Sequence, residues 1–344
     1  MAKRNYKATL VGTLVYIDEP QVLLLERDAD AKIVAVAIDI EGYQYPFLGA
    51  EISSPQWDRY RRGFVDLRYL FLYPRWRRWY LFDLADAKDG EVPLKFAEPS
   101  VYKDDAYLPA AGFFSRDHTE PTAGISKTQL ETQTYAIDGS WDLPDFSQFY
   151  AKITDLYSFF LSLEEYMSST ARLDLKKAIG GAFRGHPLRG GSRYINLYND
   201  LYDAQDIDDR LIVKRIQYAS PGRVDVDGRS DIFEKLNCSL DLFAANYDAI
   251  KTEYLEIHRY LHDSRLLKRD AARVELDSAI AKYILGRARE FAKIMQLEQF
   301  DLIYSLTDKN PLATIKILLS FYRRMERYYL FFAEGRVKDH SAAL

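Results

Sequence analysis

The first hundred residues consist of short apolar and aromatic runs separated by turn residues. The runs ATLVGTLVYI, QVLLLERD, KIVAVAIDI and YQYPFLGAEI are divided by short segments that hold Asp, Glu, Gly and Pro. Short runs with this spacing are typical of antiparallel strands. Ser53 or Ser54 as N-cap and Pro55 in the first turn predict an inserted helix that ends at Gly63. RWRRWYLFDL is predicted to return as a strand, so residues 1–100 form an antiparallel sheet or a small barrel.

The rest of the chain changes its pattern twice. Residues 101–144 are rich in Pro, Gly, Ser, Thr and Asp, which predicts an extended connector. We expect it to contain a hairpin, because structureless loops of this length are uncommon. Residues 145–344 place apolar side chains every three or four positions, which indicates a mainly helical domain. RLIVKRIQYASPGRVDVDGR predicts a small β insertion within it, and the fold class is therefore α+β.

Two helix starts in the second half can be read from their capping residues. Asp231, followed three residues later by Glu234, has the spacing of a capping box. Asn310 followed by Pro311 predicts the start of the last long helix. The intervening helical pattern contains Cys238, which we expect to be buried as a small apolar side chain.

Composition narrows the class of protein. The chain has 344 residues, of which 48% are hydrophobic and 28% charged, and its formal net charge is -4. These values predict a folded protein of about two domains without a uniformly basic surface for nucleic acid. A single cysteine excludes internal disulfides and cysteine-cluster metal sites. Neither a signal peptide nor a membrane span is apparent, so we expect a cytoplasmic protein, and we predict no cofactor.

The first candidate site is the segment from residue 57 to residue 80. It holds seven arginines and two aspartates, a local excess of five positive charges, among seven tryptophan and tyrosine rings. Arginine with stacking rings suits single-stranded nucleic acid, and the same residues dominate the hot spots of protein interfaces. Both interpretations stay open. The residues predicted to bind are Arg59, Arg61, Arg62, Arg75, Arg77, Arg78, Trp76 and Trp79.

The second candidate is the glycine-rich stretch IGGAFRGHPLRGGSRY, residues 179–194. Consecutive glycines allow backbone N–H groups to converge on an anion, and arginine offers a bidentate fork for phosphate. The spacing is that of neither a P-loop nor a dinucleotide fingerprint. A structural connection is the alternative, since Gly-Gly and His-Pro also end helices and turn chains. The residues predicted to bind an anion are Arg184, His186, Arg189 and Arg193.

Three other groups of residues offer weaker chemistry. The acidic run NDLYDAQDIDD could hold Mg²⁺, but a solvated helix end, or pairing with the preceding arginines, explains it as well. His258 and His262 lie one helical turn apart without the order of a zinc-protease motif, which favours a surface pair. Carboxylates and a lysine beside the predicted β insertion imitate a nuclease core, namely Asp225, Asp227, Glu234 and Lys235.

Part of the chain resembles an uncharacterised prokaryotic domain of unknown function. The resemblance is carried by EPQVLLLERDADAKIVAVAIDI, followed by the insertion ISSPQWDRYRRGFVDLRYLFL. IQYASPGRVDVDG is similar to a turn in other uncharacterised bacterial proteins, some of them linked to phage-defence loci. The resemblance implies a bacterial origin and a defence or stress setting, and it brings no functional residues with it.

From these observations we expect a non-catalytic binding or regulatory component of a bacterial module. It would dock a protein partner, a second copy of itself or nucleic acid through the two arginine-aromatic surfaces. One alternative is a metal-dependent nuclease that uses the aspartates named above. A purely structural oligomeric subunit is the other alternative.

Overall fold

The computed structural model describes residues 6–28, 31–115, 130–190 and 194–339. The chain divides into two compact units, Met1–Ile125 and Ser126–Leu344. The first contains an antiparallel barrel and the second is mostly helical, so the predicted α+β class is confirmed.

Six antiparallel strands close into a barrel in the first unit. They follow one another in sequence order, and the first pairs with the last. The strands are β1 (Tyr6–Ile17), β2 (Glu19–Asp28), β3 (Ala31–Ala37), β4 (Pro46–Ser53), β5 (Trp79–Asp83) and β6 (Glu91–Phe96). Alternate side chains of these strands form an interior cluster that includes Leu23, Leu25, Ile33, Phe47, Phe82 and Val92. Short apolar runs separated by turn residues predicted an antiparallel sheet or a small barrel, and the structure confirms that prediction as a barrel.

Short helices cover the apolar side chains that point away from the barrel interior. They are α1 (Ser54–Arg61), α2 (Leu67–Leu72) and α3 (Pro99–Tyr102). Helix α1 begins as predicted. Ser53 and Gln56 form a reciprocal capping box, and Pro55 lies between them in the first turn. Its buried Trp57 and Tyr60 join a second cluster with the outward residues of β3 and β4.

The predicted strand RWRRWYLFDL is wrong at its first four residues. Arg75–Arg77 form one turn of 3₁₀-helix after Pro74, with Trp76 and Arg77 at φ values of 56° and 51°. Left-handed backbone cannot continue a strand, so β5 starts only at Trp79. Because β-type composition does not encode this turn, the sequence pattern extends the strand too far.

A four-stranded sheet in the second unit has the order β10-β7-β9-β8. Its strands are β7 (Leu130–Ile137), β8 (Ile212–Gln217), β9 (Gly222–Arg229) and β10 (Val337–Asp339). The hairpin of β8 and β9 is the predicted β insertion. The prediction of irregular chain is wrong for residues 130–137, which pair with β9 and β10 rather than forming a local hairpin. Buried Gln133 stands where an apolar residue would have marked the strand.

Eight helices complete the described part of the second unit. They are α4 (Leu143–Met167), α5 (Leu173–Arg184), α6 (Ile195–Ala204), α7 (Ser230–Ala245), α8 (Tyr247–Asp263), α9 (Ser278–Ile294), α10 (Phe300–Leu306) and α11 (Pro311–Ala333). Helix α11 is buried along most of its length and packs against α4 and α9. Asn310 caps it, as predicted, by accepting the Ala313 N–H at 3.0 Å. Among the residues described, no helix combines the length and apolar character that crossing a membrane requires.

Two details of the helical predictions are wrong. The capping box does not form: α7 begins at Ser230, and Asp231 binds the Arg229 guanidinium instead. Charge attraction to an adjacent arginine replaces the cap. Cys238 is exposed rather than buried, because it lies on the solvent side of α7, away from Leu236 and Leu240.

Candidate binding sites

A buried acid and two arginines lie among the inward-facing side chains of the barrel. Glu51 of β4 is fully buried, and its Oε2 accepts hydrogen bonds from Arg27 Nη1 and Tyr80 Oη, each at 2.8 Å. Arg78 Nη1 lies 3.5 Å from Glu51 Oε1. Burial and the neighbouring carboxylate raise the pKa of Tyr80 to about 12. The predicted binding residue Arg78 therefore already has an anionic partner.

Sequence reasoning missed this cluster, although the alternation of β4 contains the signal for it. Glu51 has the same parity as Phe47, which points into the barrel. A carboxylate at an inward position requires a compensating cation. Arg27 has the matching parity in β2, with Leu23 and Leu25.

Several other residues of the first candidate site, the patch of residues 57–80, pack against their own unit. The Trp79 ring stacks on Tyr102 with centroids 4.1 Å apart, and its Nε1 donates to Phe71 O at 2.9 Å. The guanidinium of Arg59 lies 5.4 Å from the centre of the Tyr69 ring. Arg61 and Arg62 are half-buried and interact with surrounding protein atoms. These contacts reduce the area of the patch that can face a partner.

The exposed side chains of residues 57–80 include those of a short segment around Trp76. We call residues 73–78, which lead from α2 into β5, the Trp76 turn. The Trp76 side chain is 71% exposed, and the Arg75 guanidinium lies 5.8 Å from its ring centre. Tyr73 is also exposed. Within the described residues, the exposed Arg77 side chain forms no hydrogen bond or ion pair.

The glycine-rich stretch continues a helix before it becomes a connection. Gly180 and Gly181 lie inside α5 and do not end it, because glycine weakens a helix without forbidding it. A Cβ atom on Gly180 would lie 2.7 Å from Arg184 Nη2, so glycine leaves room for that side chain. The interpretation of this Gly-Gly pair as a helix end is therefore wrong.

In the second candidate site, the glycine-rich stretch, each described residue that was predicted to bind an anion has a carboxylate partner. Arg184 Nη1 lies 3.3 Å from Asp308 Oδ1, and Arg189 Nη2 lies 3.4 Å from Asp270 Oδ2. His186 Nε2 is 2.6 Å from Asp200 Oδ2. Arg193 lies outside the described residues. These pairs compete with any external anion for the same groups.

A buried lysine fixes the end of this stretch to a second loop. Lys316 of α11 is fully buried, and its Nζ donates to Leu188 O, Leu267 O and Arg269 O at 2.7, 3.2 and 2.6 Å. Burial lowers its pKa to about 8. The Gly190 N–H donates to Leu267 O at 2.9 Å as well. The described part of the stretch after α5 is therefore held in place at Leu188 and Gly190.

The acidic groups do not assemble into a metal site among the residues described. Asp206 pairs with Arg172, while burial raises the pKa of Asp209. Among the residues that imitate a nuclease core, Asp225 has its Oδ2 3.4 Å from Arg223 Nε. Its Oδ1 accepts a hydrogen bond from the Thr134 hydroxyl at 2.9 Å. Lys235 binds Glu164 instead of either aspartate.

A groove of about 730 Å³ opens beside the end of α8. The basic or titratable side chains that line it are His258, His262, Asp263, Arg265 and Lys268, and Gly190 and Leu267 complete its lining. Burial, followed by the effects of nearby Arg323 and His262, lowers the pKa of His258 below its ordinary value. The two imidazoles, predicted to be a surface pair, therefore lie in a concave and mostly cationic place.

No protein-family model, curated protein or solved structure matches this chain.

Proposed function

We propose that this protein is a non-catalytic binding or regulatory component that docks a protein partner through the Trp76 turn. The observation that carries the proposal is the exposed indole of Trp76 on left-handed backbone. Two successive non-glycine residues in that region disfavour the fold by about 1 kcal/mol or more each. Such strain, which displays a large apolar ring instead of burying it, is typical of recognition sites.

The composition of the turn favours a protein over nucleic acid. Trp, Tyr and Arg are the residues enriched in interface hot spots, and Tyr73, Trp76 and Arg77 supply one of each. Nucleic acid would need several free cations along a track. In this patch Arg78 is bound to Glu51 and Arg68 to Asp105, so few arginines are left for phosphates.

The wider setting we propose is a bacterial, cytoplasmic module of the defence or stress kind. Its support is the resemblance of the barrel strands and of the IQYASPGRVDVDG turn to uncharacterised bacterial sequences. The partner is then another component of that module or a second copy of this chain.

The proposal can be tested by replacing Trp76 with glycine. The change removes the ring and also relieves the left-handed backbone, so we expect unchanged or higher thermal stability together with loss of binding. Binding is measured by affinity capture from a bacterial lysate with quantitative mass spectrometry, and by sedimentation for self-association. Tyr16→Ala is the matched control, since Tyr16 is 68% exposed on another part of the same unit.

Three results would each count against this function. Self-association and captured proteins that are identical for wild type and Trp76→Gly would contradict it. So would a loss that Tyr16→Ala produces equally. Tight binding of an oligonucleotide that weakens steeply between about 50 and 200 mM salt would replace the protein partner with nucleic acid.

A further inference from the structure

We propose that the groove at the end of α8 binds a phosphorylated small molecule. This inference goes beyond the proposed function, because it concerns a different unit of the chain and a different class of ligand. The volume of about 730 Å³ lies within the range of roughly 300–1,000 Å³ that is usual for small-molecule sites.

The charged groups of the groove are suited to an anion. Within the described residues, neither the Arg265 nor the Lys268 side chain forms a hydrogen bond or an ion pair. By contrast, Arg184, His186 and Arg189, which precede the lining residue Gly190, each have an acidic partner. Two cations left unmatched in one concave place leave guanidinium and ammonium donors available for phosphate oxygens.

The imidazoles add hydrogen-bonding groups on a fixed helix face. His258 and His262 lie one turn apart on α8, so both point to the same side. The lowered pKa of His258 leaves it neutral near pH 7, where its ring can still donate one hydrogen bond. Among the described residues that line the groove, Asp263 is the only carboxylate, and its Oδ1 is 3.1 Å from His262 Nδ1.

The walls of the groove are held by contacts beneath it. Arg265 has a φ of 58°, and the chain then turns so that the Leu266 and Leu267 N–H groups both donate to Leu261 O, at 2.8 and 3.1 Å. Lys316 binds the carbonyls of Leu267 and Arg269 from the core side. A backbone wall fixed in this way does not have to be ordered by the ligand.

The test uses the full-length protein and three probes: pyrophosphate, adenosine monophosphate and ribose 5-phosphate. Sodium sulfate at matched ionic strength is the control for general anion effects. We expect at least one of the three to bind in isothermal titration calorimetry and to raise the melting temperature of the helical unit. Arg265→Gln/Lys268→Gln should weaken that binding at least tenfold.

Lys282→Gln is the matched control variant, because Lys282 is an exposed lysine on α9 outside the groove lining. It should bind the probe as wild type does. Absence of binding by all three probes at millimolar concentration would overturn the proposal. Equal binding by the double variant, or an equal response to sulfate, would also overturn it. Trp76→Gly should bind the probe normally, so failure here is distinguishable from failure of the docking function.

Discussion

Lys316 has surroundings that are unusual for a lysine, because its side chain is fully buried. Burying an ammonium group destabilises the fold unless its N–H donors are satisfied. Here three carbonyl oxygens accept hydrogen bonds from it. Those carbonyls belong to two segments that are distant in sequence, at residue 188 and at residues 267–269. One side chain thus joins the connection after α5 to the segment after α8.

Replacement of Lys316 by methionine should destabilise the helical unit by about 2 kcal/mol or more. Methionine fills a similar volume but leaves Leu188 O and Arg269 O without their donor, at roughly 1–3 kcal/mol each, while Leu267 O keeps the Gly190 N–H. Urea unfolding at pH 7, followed by circular dichroism, measures the change. Lys282→Met, at an exposed position of α9, should alter stability by less than about 0.5 kcal/mol. Equal effects of the two changes would show that the three carbonyl contacts contribute little.

The sequence contains a partial signal for such residues. Lys316 lies four residues after Leu312 and three before Leu319, both fully buried, so the helical period places it on the apolar face. That period can show that a lysine is buried. It cannot show which carbonyl oxygens accept hydrogen bonds from the lysine, since these carbonyls belong to loops that have no periodicity.

At the scale of elements, two glycines within regular secondary structure play different roles. Gly228 of β9 approaches aromatic side chains: a Cβ there would lie 2.9 Å from Tyr157 Cε2 and 2.9 Å from Phe233 Cζ. Tyr157 Oη accepts the Arg229 N–H at 2.7 Å and donates to Asp209 O at 2.9 Å. Gly286, within α9, has no atom within 4 Å of the equivalent position.

Alanine at these two positions should therefore change stability in opposite directions. Gly228→Ala must displace Tyr157 and should destabilise by about 2 kcal/mol, the usual size of an overpacking effect. Gly286→Ala gains helix propensity and should stabilise by about 0.5–1 kcal/mol. Chemical denaturation of both variants checks the signs. Destabilisation by Gly286→Ala would indicate a close contact at α9 that the described residues do not supply.

Elements with a strong period were predictable, and those that depend on distant partners were not. Strands β1 to β4 and the cap of α11 follow from local pattern alone, whereas β5 was predicted to start four residues too early and β6 was not predicted. Strand β7 was missed because its pairing partners lie some ninety residues or more further along the chain, in β9 and β10. The missing capping box has a local cause, since Arg229 attracts Asp231 more strongly than the backbone does.

At the scale of the whole molecule, each compact unit has its own apolar interior. The clusters inside and outside the barrel use only residues of the first unit, and the large cluster of the second runs from Tyr135 to Val337. A unit that contains its own core can fold alone. The groove and the Trp76 turn lie in different units, so their functions can be separated experimentally.

Residues 1–125 and 126–344, produced separately, should each unfold cooperatively on heating. Their far-ultraviolet spectra should sum to that of the full chain, with strand signal in the first and helix signal in the second. Circular dichroism and calorimetry measure both properties. If either piece alone is unfolded while the full chain is folded, the two cores depend on one another and this division of the chain is not a division into folding units.

The sequence anticipated the class of fold better than the place of the sites. The arginine-aromatic composition directed attention to residues 57–80, but the fold buries or pairs most of them and leaves the Trp76 turn. The groove could not be anticipated, because it combines Gly190 with residues 258–268, and no local pattern relates the two segments.

Closure of the barrel restricts how a partner can recognise the first unit. Because Tyr6–Thr9 of β1 pair with Glu91–Leu94 of β6, the backbones of these residues face each other where the barrel closes. An incoming peptide cannot pair with either strand at this point without breaking that ladder. Recognition there uses protruding side chains, and a molecule that binds in this way can leave again without unzipping any part of the host.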